Sequence, residues 1–151
     1  MSAATIRRAT PADVAAILPL VEDYWRFEDL PGFEPGRIGE ELRRVLSEPR
    51  LGACWIAESG GRPAGYLLAV YVFSLEHAGM TAEIDEFYVL PSRRDTGLGG
   101  ELLRAAEAEF TAVGCTNVSL QLGRANDRGR HFYVRHGYHP RAGFELLDKS
   151  L

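Results

Sequence analysis

The 151-residue chain has little cysteine, no long apolar run and no excess of positive charge. Its two cysteines, Cys54 and Cys115, lack metal-ligand spacing and are too few for a disulfide framework, which predicts reduced thiols and no metal site. No apolar run is long enough to cross a membrane, and the first residues lack the features of a signal peptide. The net charge of -4 argues against a nucleic-acid binder. We therefore expect a cytoplasmic protein with no nucleic-acid and no membrane partner.

The composition is that of one globular domain spanning residues 1–151. Hydrophobic residues make up 46% of the chain and charged residues 25%, which suits a sizeable core. Periodicity predicts strands at 5–9, 52–59, 64–75, 84–90 and 116–122, and further strands from Tyr138 and at 144–147. Helices are predicted from Thr10, at 38–46, from Leu102 to Val113 and after Asn126. The Gly60-Gly61 pair predicts a hairpin, and the strand–helix–strand succession across 84–122 predicts a parallel pair.

Residues 83–101 hold the most informative pattern, a strand followed by a glycine-rich turn and the start of a helix. Pro91 ends the strand because it lacks the N–H that a ladder needs. The residues that follow include Arg94, Gly97, Gly99 and Gly100. The first N–H groups of a helix have no partner within it, and glycines let an anion approach closely, so we expect an anion site here. The P-loop is excluded because no Gly-Lys-Ser/Thr follows, and the dinucleotide fingerprint because the glycine spacing differs.

The loop resembles the acetyl-CoA signature of the GNAT acetyltransferase superfamily, Q/R-x-x-G-x-G/A. A second segment is similar to the later motif of that family, N-x-x-A-x-x-hydrophobic-Y-x-x-x-G-F. Its matching residues are Asn126, Phe132, Tyr133, Gly137 and Tyr138, with Gly129 where alanine is commoner. The resemblance covers essentially the whole chain. It implies an α/β fold with a mixed, mostly antiparallel sheet of about seven strands, a central parallel pair and about four helices.

This resemblance implies transfer of an acetyl group from acetyl-CoA directly to an amine. The pantetheine arm is expected in a gap where the central strand and its parallel neighbour splay apart, and the pyrophosphate at the loop amides with Arg94 as a charged donor. Asp95 stands where glycine is frequent, and its carboxylate predicts weaker CoA binding unless it points away or pairs with Arg93. The expected cofactor-binding residues are Phe87, Tyr88, Val89, Arg94, Asp95, Thr96, Gly97, Leu98, Gly99, Gly100, Asn126, Arg130 and Tyr133.

Three acids of the central strand, Glu83, Asp85 and Glu86, are candidates for the catalytic base that accepts the proton of an ammonium. Strand alternation places Glu83 and Asp85 on one face and Glu86 on the other unless a bulge intervenes. In the family, the position of Glu83 is the base of protein-lysine acetyltransferases, whereas the Asp85–Glu86 pair looks most like the diamine and polyamine branch. Tyr133 matches the acid that protonates the leaving thiolate; its alternative is a core aromatic. His77 is a further candidate base.

The leading functional hypothesis is acetylation of a primary amine in a small cationic substrate. The expected substrate-binding residues are Glu28, Asp29, Asp85 and Glu86. With Glu34, the first two form a predicted acidic rim, although such a run is more often a solvated surface. The alternatives are acetylation of a protein amine or an amino acid and, in another class, a non-catalytic acyl-CoA sensor. The resemblance also implies a homodimer through the final strands.

Overall fold

A computed structural model describes residues 3–151. The strands in this range are β1 (Ala4–Arg8), β2 (Gly52–Ser59), β3 (Arg62–Ser74), β4 (Gly79–Val89) and β5 (Val118–Leu120). The α-helices are α1 (Val14–Phe27), α2 (Pro35–Ser47), α3 (Leu98–Ala112) and α4 (Asp127–Arg135). Single 3-10 turns at Pro11–Asp13 and Pro91–Arg93 precede α1 and α3. Within the described range, every helix is too short or too polar to cross a membrane.

The chain divides into two compact units, one ending at Gln121 and the other beginning at Leu122. The first unit contains a five-stranded sheet in the order β1-β2-β3-β4-β5. Neighbouring strands are antiparallel except for β4 and β5, which are parallel and connected through α3. The sequence-based expectation of a mixed α/β sheet is therefore confirmed. The parallel pair lies at one end of the described sheet rather than in its centre.

The predicted strands after Gly137 do not form, so the described sheet has five strands and not about seven. The segment after α4 has no helix or strand, and Phe144, Leu146 and Leu147 are 73%, 66% and 82% exposed. A strand is stabilised by a neighbouring ladder and by burial of its apolar face. Because its apolar side chains are exposed, this segment lacks the stabilisation that burial of an apolar face would give. β5 is also shorter than the predicted 116–122.

The β2–β3 hairpin forms as the Gly60-Gly61 pair predicts. Both glycines have positive φ angles, 59° and 75°, which a type I′ turn requires at its two central positions. β2 occupies residues 52–59 as predicted, and β3 begins at Arg62, directly after the turn. β3 then continues through its apolar run to Ser74 and pairs with β4. The strands β2, β3 and β4 therefore form an antiparallel meander, and the predicted hairpin is confirmed.

Helices cover both faces of this sheet. Ile56 of β2 belongs to a buried cluster with Ile17 of α1 and Leu42 of α2. Trp55, its neighbour in sequence, packs against Phe110 of α3 with ring centroids 5.4 Å apart. Because successive strand residues point to opposite faces, α1 and α2 lie on one face and α3 on the other.

The first turn of α3 contains the glycines of the predicted anion site. The helix begins at Leu98, one turn before the apolar pattern that starts at Leu102, so Gly99 and Gly100 are helical. The predicted apolar face is buried: Leu102, Leu103, Ala106 and Phe110. Val113 was expected on that face but is 54% exposed, because it is the cap residue that follows the last helical turn.

Candidate active site

A β-bulge in β4 decides where its three acids point. Leu68 of β3 pairs with Glu86, and the next residue, Ala69, pairs with Ile84, so Asp85 is an extra residue on β4. After this shift, Glu83 pairs with Val70. Directly opposed residues of an antiparallel ladder project from the same face. The bulge therefore brings Glu83 and Glu86 to the same face of the sheet.

That face borders a cavity of about 230 Å³ between α1, α2 and the β3–β4 pair. Its apolar walls are formed by Val21, Ile38, Leu42, Val45, Leu68 and Val70. The polar side chains that complete the lining are Trp25, Glu41, Asp85 and Glu86. All three ionisable groups in the lining are carboxylates, so the cavity has a negative potential that favours a cation.

Glu86 is the most tightly held of the three strand acids. It is 9% exposed and accepts two hydrogen bonds. The Trp25 indole Nε1–H donates to Oε2 at 2.8 Å, and the Tyr66 hydroxyl donates to Oε1 at 2.9 Å. Burial raises the pKa of Glu86 to about 7, an effect that the two hydrogen bonds oppose and the charge of Asp85 reinforces. A carboxyl group with a pKa near 7 is suited to accept a proton at neutral pH.

The neighbouring acids are held more loosely. Asp85 lines the cavity; burial of its carboxyl group and then the charge of Glu83 raise its pKa. Glu83 is half-buried, and its Oε1 accepts a hydrogen bond from Gln121 Nε2 at 3.4 Å. His77 lies in the turn before β4, outside the cavity lining, where its carbonyl accepts a hydrogen bond from Thr116 Oγ1. Among these groups, Asp85 and Glu86 are the ones that reach the cavity.

The loop between β4 and α3 fits an anionic group. Gly97 caps α3 in the left-handed conformation, with φ 87°. The first intrahelical bond runs from Glu101 N–H to Gly97 C=O, so the N–H groups of residues 98–100 precede the regular helical pattern. These amides and the positive end of the helix dipole are suited to a phosphate group. Asp95 also has a positive φ, 61°, which is the conformation that glycine adopts most readily.

The Arg94 side chain contacts the end of β4, the strand that precedes its loop. Its Nε donates to the Val89 carbonyl at 2.9 Å, and its guanidinium carbon lies 5.1 Å from the ring centroid of Phe27 and 5.3 Å from that of Tyr88. In the same loop, the Thr96 hydroxyl donates to the Arg93 carbonyl at 2.6 Å. These contacts hold the loop against the end of β4. A role for Arg94 as a pyrophosphate donor stays a prediction that would use its remaining N–H groups.

The parallel ladder between β4 and β5 is short. It consists of the pairs Ala82–Val118, Glu83–Ser119 and Ile84–Leu120. β4 continues to Val89, so the stretch 85–89 extends beyond its parallel partner. The expected splay of the two strands stays a prediction. The predicted cofactor residues Phe87, Tyr88 and Val89 lie in this stretch, although the Tyr88 side chain is buried against Tyr24 and Phe27.

The second unit contains the later motif. Asn126 caps α4, with its Oδ1 accepting a hydrogen bond from the Gly129 N–H at 2.9 Å. A Cβ atom at residue 129 would approach the Asn126 amide nitrogen to 2.6 Å, so any larger residue there requires the Asn126 side chain to shift. The Arg130 N–H donates to the Asn126 carbonyl. Tyr133 is half-buried in α4, and its ring centroid lies 5.3 Å from that of Phe132 and 5.5 Å from that of Tyr138. Its role as the acid stays a prediction.

The predicted acidic rim is divided among different roles. Glu28 and Asp29 follow the end of α1 and are not part of the cavity lining. Glu34 caps α2: its carboxylate accepts from the N–H groups of Gly36 and Arg37, which lower its pKa. The substrate-binding role of Glu28 and Asp29 therefore stays a prediction, and Glu34 has a structural function.

Three contributors to the site were missed from the sequence. Trp25 and Glu41 fall in predicted helices and Tyr66 in a predicted strand, and none of the three was given a role in the site. The available signal was chemical: a Trp N–H and a Tyr hydroxyl that become buried each require an acceptor. The pattern did not identify that acceptor as Glu86, because the residues are separated by 61 and 20 positions in sequence.

Comparison with known proteins identifies the class to which this fold and site belong. Residues 16–138 match the acetyltransferase (GNAT) family, and the chain belongs to that family. It is 30% identical over 143 residues to the uncharacterized N-acetyltransferase YhfO of Bacillus subtilis, covering 92% of each chain. It is 32% identical to an aminoglycoside N(6')-acetyltransferase type 1 of Stenotrophomonas maltophilia, covering 98% of this chain and 90% of that protein.

The fold has a close structural counterpart. The aminoglycoside N-acetyltransferase AAC(6')-Iy, solved in complex with CoA, has a TM-score of 0.86 at 18% identity, with coverage of 100% of this chain and 97% of that chain. Family membership and named relatives together make this protein an acetyl-CoA-dependent N-acetyltransferase. Both motifs identified from the sequence lie within the matched range.

Proposed function

We propose that this enzyme acetylates a primary amine of a small cationic molecule, with Glu86 as the general base. The observation that carries the proposal is the Glu86 carboxyl group on the wall of the cavity, held by Trp25 and Tyr66 and with a pKa of about 7. A concave site with convergent polar groups and a perturbed carboxyl is the expected form of an acceptor site.

The carboxylates account for binding of the acceptor. A cationic amine enters a cavity whose ionisable lining consists of Glu41, Asp85 and Glu86. Their negative charge concentrates ammonium ions near β4. Aminoglycosides, the substrates named for one relative, are also amines. The succession Asp85-Glu86-Phe87-Tyr88-Val89 is similar to the diamine and polyamine branch, so diamines belong in the first substrate panel.

Proton transfer is the step that these residues perform. An ammonium has no lone pair, so Glu86 first accepts a proton from it through an Oε atom. Acetyl-CoA supplies the acetyl group as a thioester when bound. As the amine nitrogen forms its bond to the acetyl carbon, the carbon–sulfur bond breaks and the thiolate leaves with that electron pair. The nitrogen, now bonded to the acetyl group, releases its second proton to water, which leaves a neutral amide. Tyr133 is the proposed donor of a proton to the sulfur, while the amides at 98–100 hold the pyrophosphate.

Separate carboxylate variants test the assignment of the base. Glu86→Gln retains a side chain that can bond with Trp25 and Tyr66 but cannot accept the proton. We expect kcat/KM at neutral pH to fall by about 10²–10⁴-fold in a coupled thiol-release assay. Asp85→Asn and Glu83→Gln should mainly raise KM or leave the kinetics unchanged. Glu22→Gln, an exposed change on α1 outside the cavity, is the matched control.

The kinetics of these carboxylate variants either assign the catalytic base or contradict the proposal. Wild-type kinetics in Glu86→Gln would exclude Glu86, and a large loss in Asp85→Asn alone would move the role to Asp85. Turnover of a protein amine with none of any small amine would contradict the substrate class.

We also propose that the enzyme is a homodimer. Support comes from the exposed apolar side chains after α4: Phe144, Leu146, Leu147 and Leu151. Several exposed apolar side chains in one segment are typical of a surface that a partner covers. Light scattering measures the molecular mass in solution of the full chain and of a Leu146→Ser/Leu147→Ser variant. A monomeric mass for the wild type at micromolar concentration would contradict the proposed homodimer.

A further inference from the structure

We infer that the acceptor cavity selects amines whose nitrogen is attached to a compact apolar body, branched alkyl or arylalkyl, over polyhydroxylated and long polycationic amines. This inference rests on the proposed function and narrows its substrate class. It is carried by the walls of the cavity rather than by its acids.

One side of the cavity is formed by the inner face of α2. Ile38, Leu42 and Val45 are spaced so that they project from one helical face toward β3. Leu68 and Val70 of β3 form the opposing wall. A ligand between these walls has aliphatic carbon on two sides and gains by burying apolar surface of its own.

Polar groups in the lining are few and already have roles. The Trp25 N–H is used by Glu86. Glu41 lies 3.7 Å from Arg44, which offsets part of its charge, and both side chains are exposed. This leaves Asp85 and Glu86, adjacent on β4, to receive one ammonium. Hydroxyl groups farther along a ligand would face aliphatic walls and lose their hydrogen bonds to water, which is unfavourable.

The volume of the cavity favours the same class of ligand. The cavity holds about 230 Å³. An apolar cavity of roughly 150 Å³ accepts benzene, whereas drug-sized ligands occupy roughly 300–1,000 Å³. A ligand of roughly six to ten heavy atoms therefore fits, whereas most of an aminoglycoside would extend beyond these walls.

A panel of amines tests the inference on the wild-type enzyme. Its members are 3-methylbutylamine, 2-phenylethylamine, 1,4-diaminobutane, spermidine and the aminoglycoside kanamycin. We expect kcat/KM for the first two to exceed that for spermidine and kanamycin by at least about tenfold, since the additional charged groups of spermidine and the hydroxyl groups of kanamycin would lose water against aliphatic walls. Calorimetry of 3-methylbutylamine with the CoA-bound enzyme should detect binding that kanamycin does not compete away.

A matched pair of variants tests whether the wall is responsible. Val70→Thr keeps the shape of the side chain and places a hydroxyl in the cavity wall, whereas Val72→Thr makes the same change on β3 at an exposed position outside the cavity. Val70→Thr should lower kcat/KM for 3-methylbutylamine by about 3- to 30-fold relative to 1,4-diaminobutane. Val72→Thr should leave the ratio unchanged.

The outcomes separate this inference from the proposed function. If kanamycin or spermidine is the best substrate, the apolar-body inference is overturned while small-amine acetylation stands. If Val70→Thr changes all amines equally, the wall does not set specificity and the inference also fails. If none of the amines is acetylated while acetyl-CoA binds, the proposed function fails and the inference with it. The wild-type panel decides the matter even where a variant folds poorly.

Discussion

Removing the hydroxyl of Tyr66 provides a direct test of how Glu86 is tuned. This hydroxyl donates to Glu86 Oε1 at 2.9 Å from a fully buried ring. Burial and the charge of Glu86 raise the pKa of Tyr66 well above its usual value, so the phenol remains a donor at every pH of interest. Tyr66→Phe deletes the donor and keeps the ring, leaving Glu86 with the Trp25 bond alone.

The expected shift follows from the energy of one hydrogen bond to a charged acceptor. Such a bond contributes about 1.5–3 kcal/mol, and one pKa unit corresponds to about 1.4 kcal/mol. The pKa of Glu86, about 7 in the wild type, should therefore rise by about one to two units in the variant. At pH 7 the ionised fraction falls from about a half to roughly 1–10%, so kcat/KM should fall by about 5- to 50-fold.

The assay is kcat/KM against pH from about 5.5 to 9.5, where the acidic limb reports the base of the free enzyme. We expect that limb to move to higher pH while the alkaline plateau changes little. Tyr71→Phe is the control, because Tyr71 lies on the same strand but packs against Phe110 on the α3 face. An acidic limb that stays in place in Tyr66→Phe would refute the reasoning, since Glu86 would then not be the titrating base.

Four further predictions concern the cofactor loop, the acid and stability. Gly99→Val adds branch atoms at the first turn of α3 and should weaken acetyl-CoA binding by at least about tenfold in calorimetry; equal affinity would exclude this site. Asp95→Gly places glycine at a position of positive φ and removes a carboxylate from the loop of the anion site, so the affinity for acetyl-CoA should rise about two- to fivefold. If the charge is the cause, Asp95→Asn gives the same gain. An unchanged affinity in both variants would place the carboxylate away from the anion. Tyr133→Phe should lower kcat by about 10- to 10³-fold with Tm and acetyl-CoA affinity little changed; a loss of stability in proportion to activity would make it a core residue. The pKa of Glu86 is raised from 4.5 to about 7, so its contribution to stability is full below pH 4.5 and is lost as the pH rises through about 7. Glu86→Gln should therefore reduce the change of Tm with pH over that range, and an unaltered dependence of Tm on pH would contradict the shifted pKa.

The sequence by itself determined the class of protein and the elements that carry the cofactor loop. Pro91, the glycines that open α3 and the Gly60-Gly61 turn act through local backbone conformation, which depends on residue type and spacing alone. The two motifs could be read for the same reason, since each lies on a single loop and helix. The polyamine branch was not confirmed by the relatives, because fold and cofactor motifs do not encode the acceptor.

Only the tertiary structure decided which acid faces the acceptor cavity. Strand alternation separated Glu86 from Glu83, and the bulge at Asp85 reversed that separation by inserting one residue into the register. The donors to Glu86 come from α1 and β3, and the apolar walls of the cavity come from α1, α2 and β3. The final strands were wrong for a related reason: alternation predicts a strand, but partner strands and burial stabilise one. Packing between distant segments sets the pKa of a buried carboxyl group and decides whether a predicted strand forms. Such packing leaves no local pattern in the sequence.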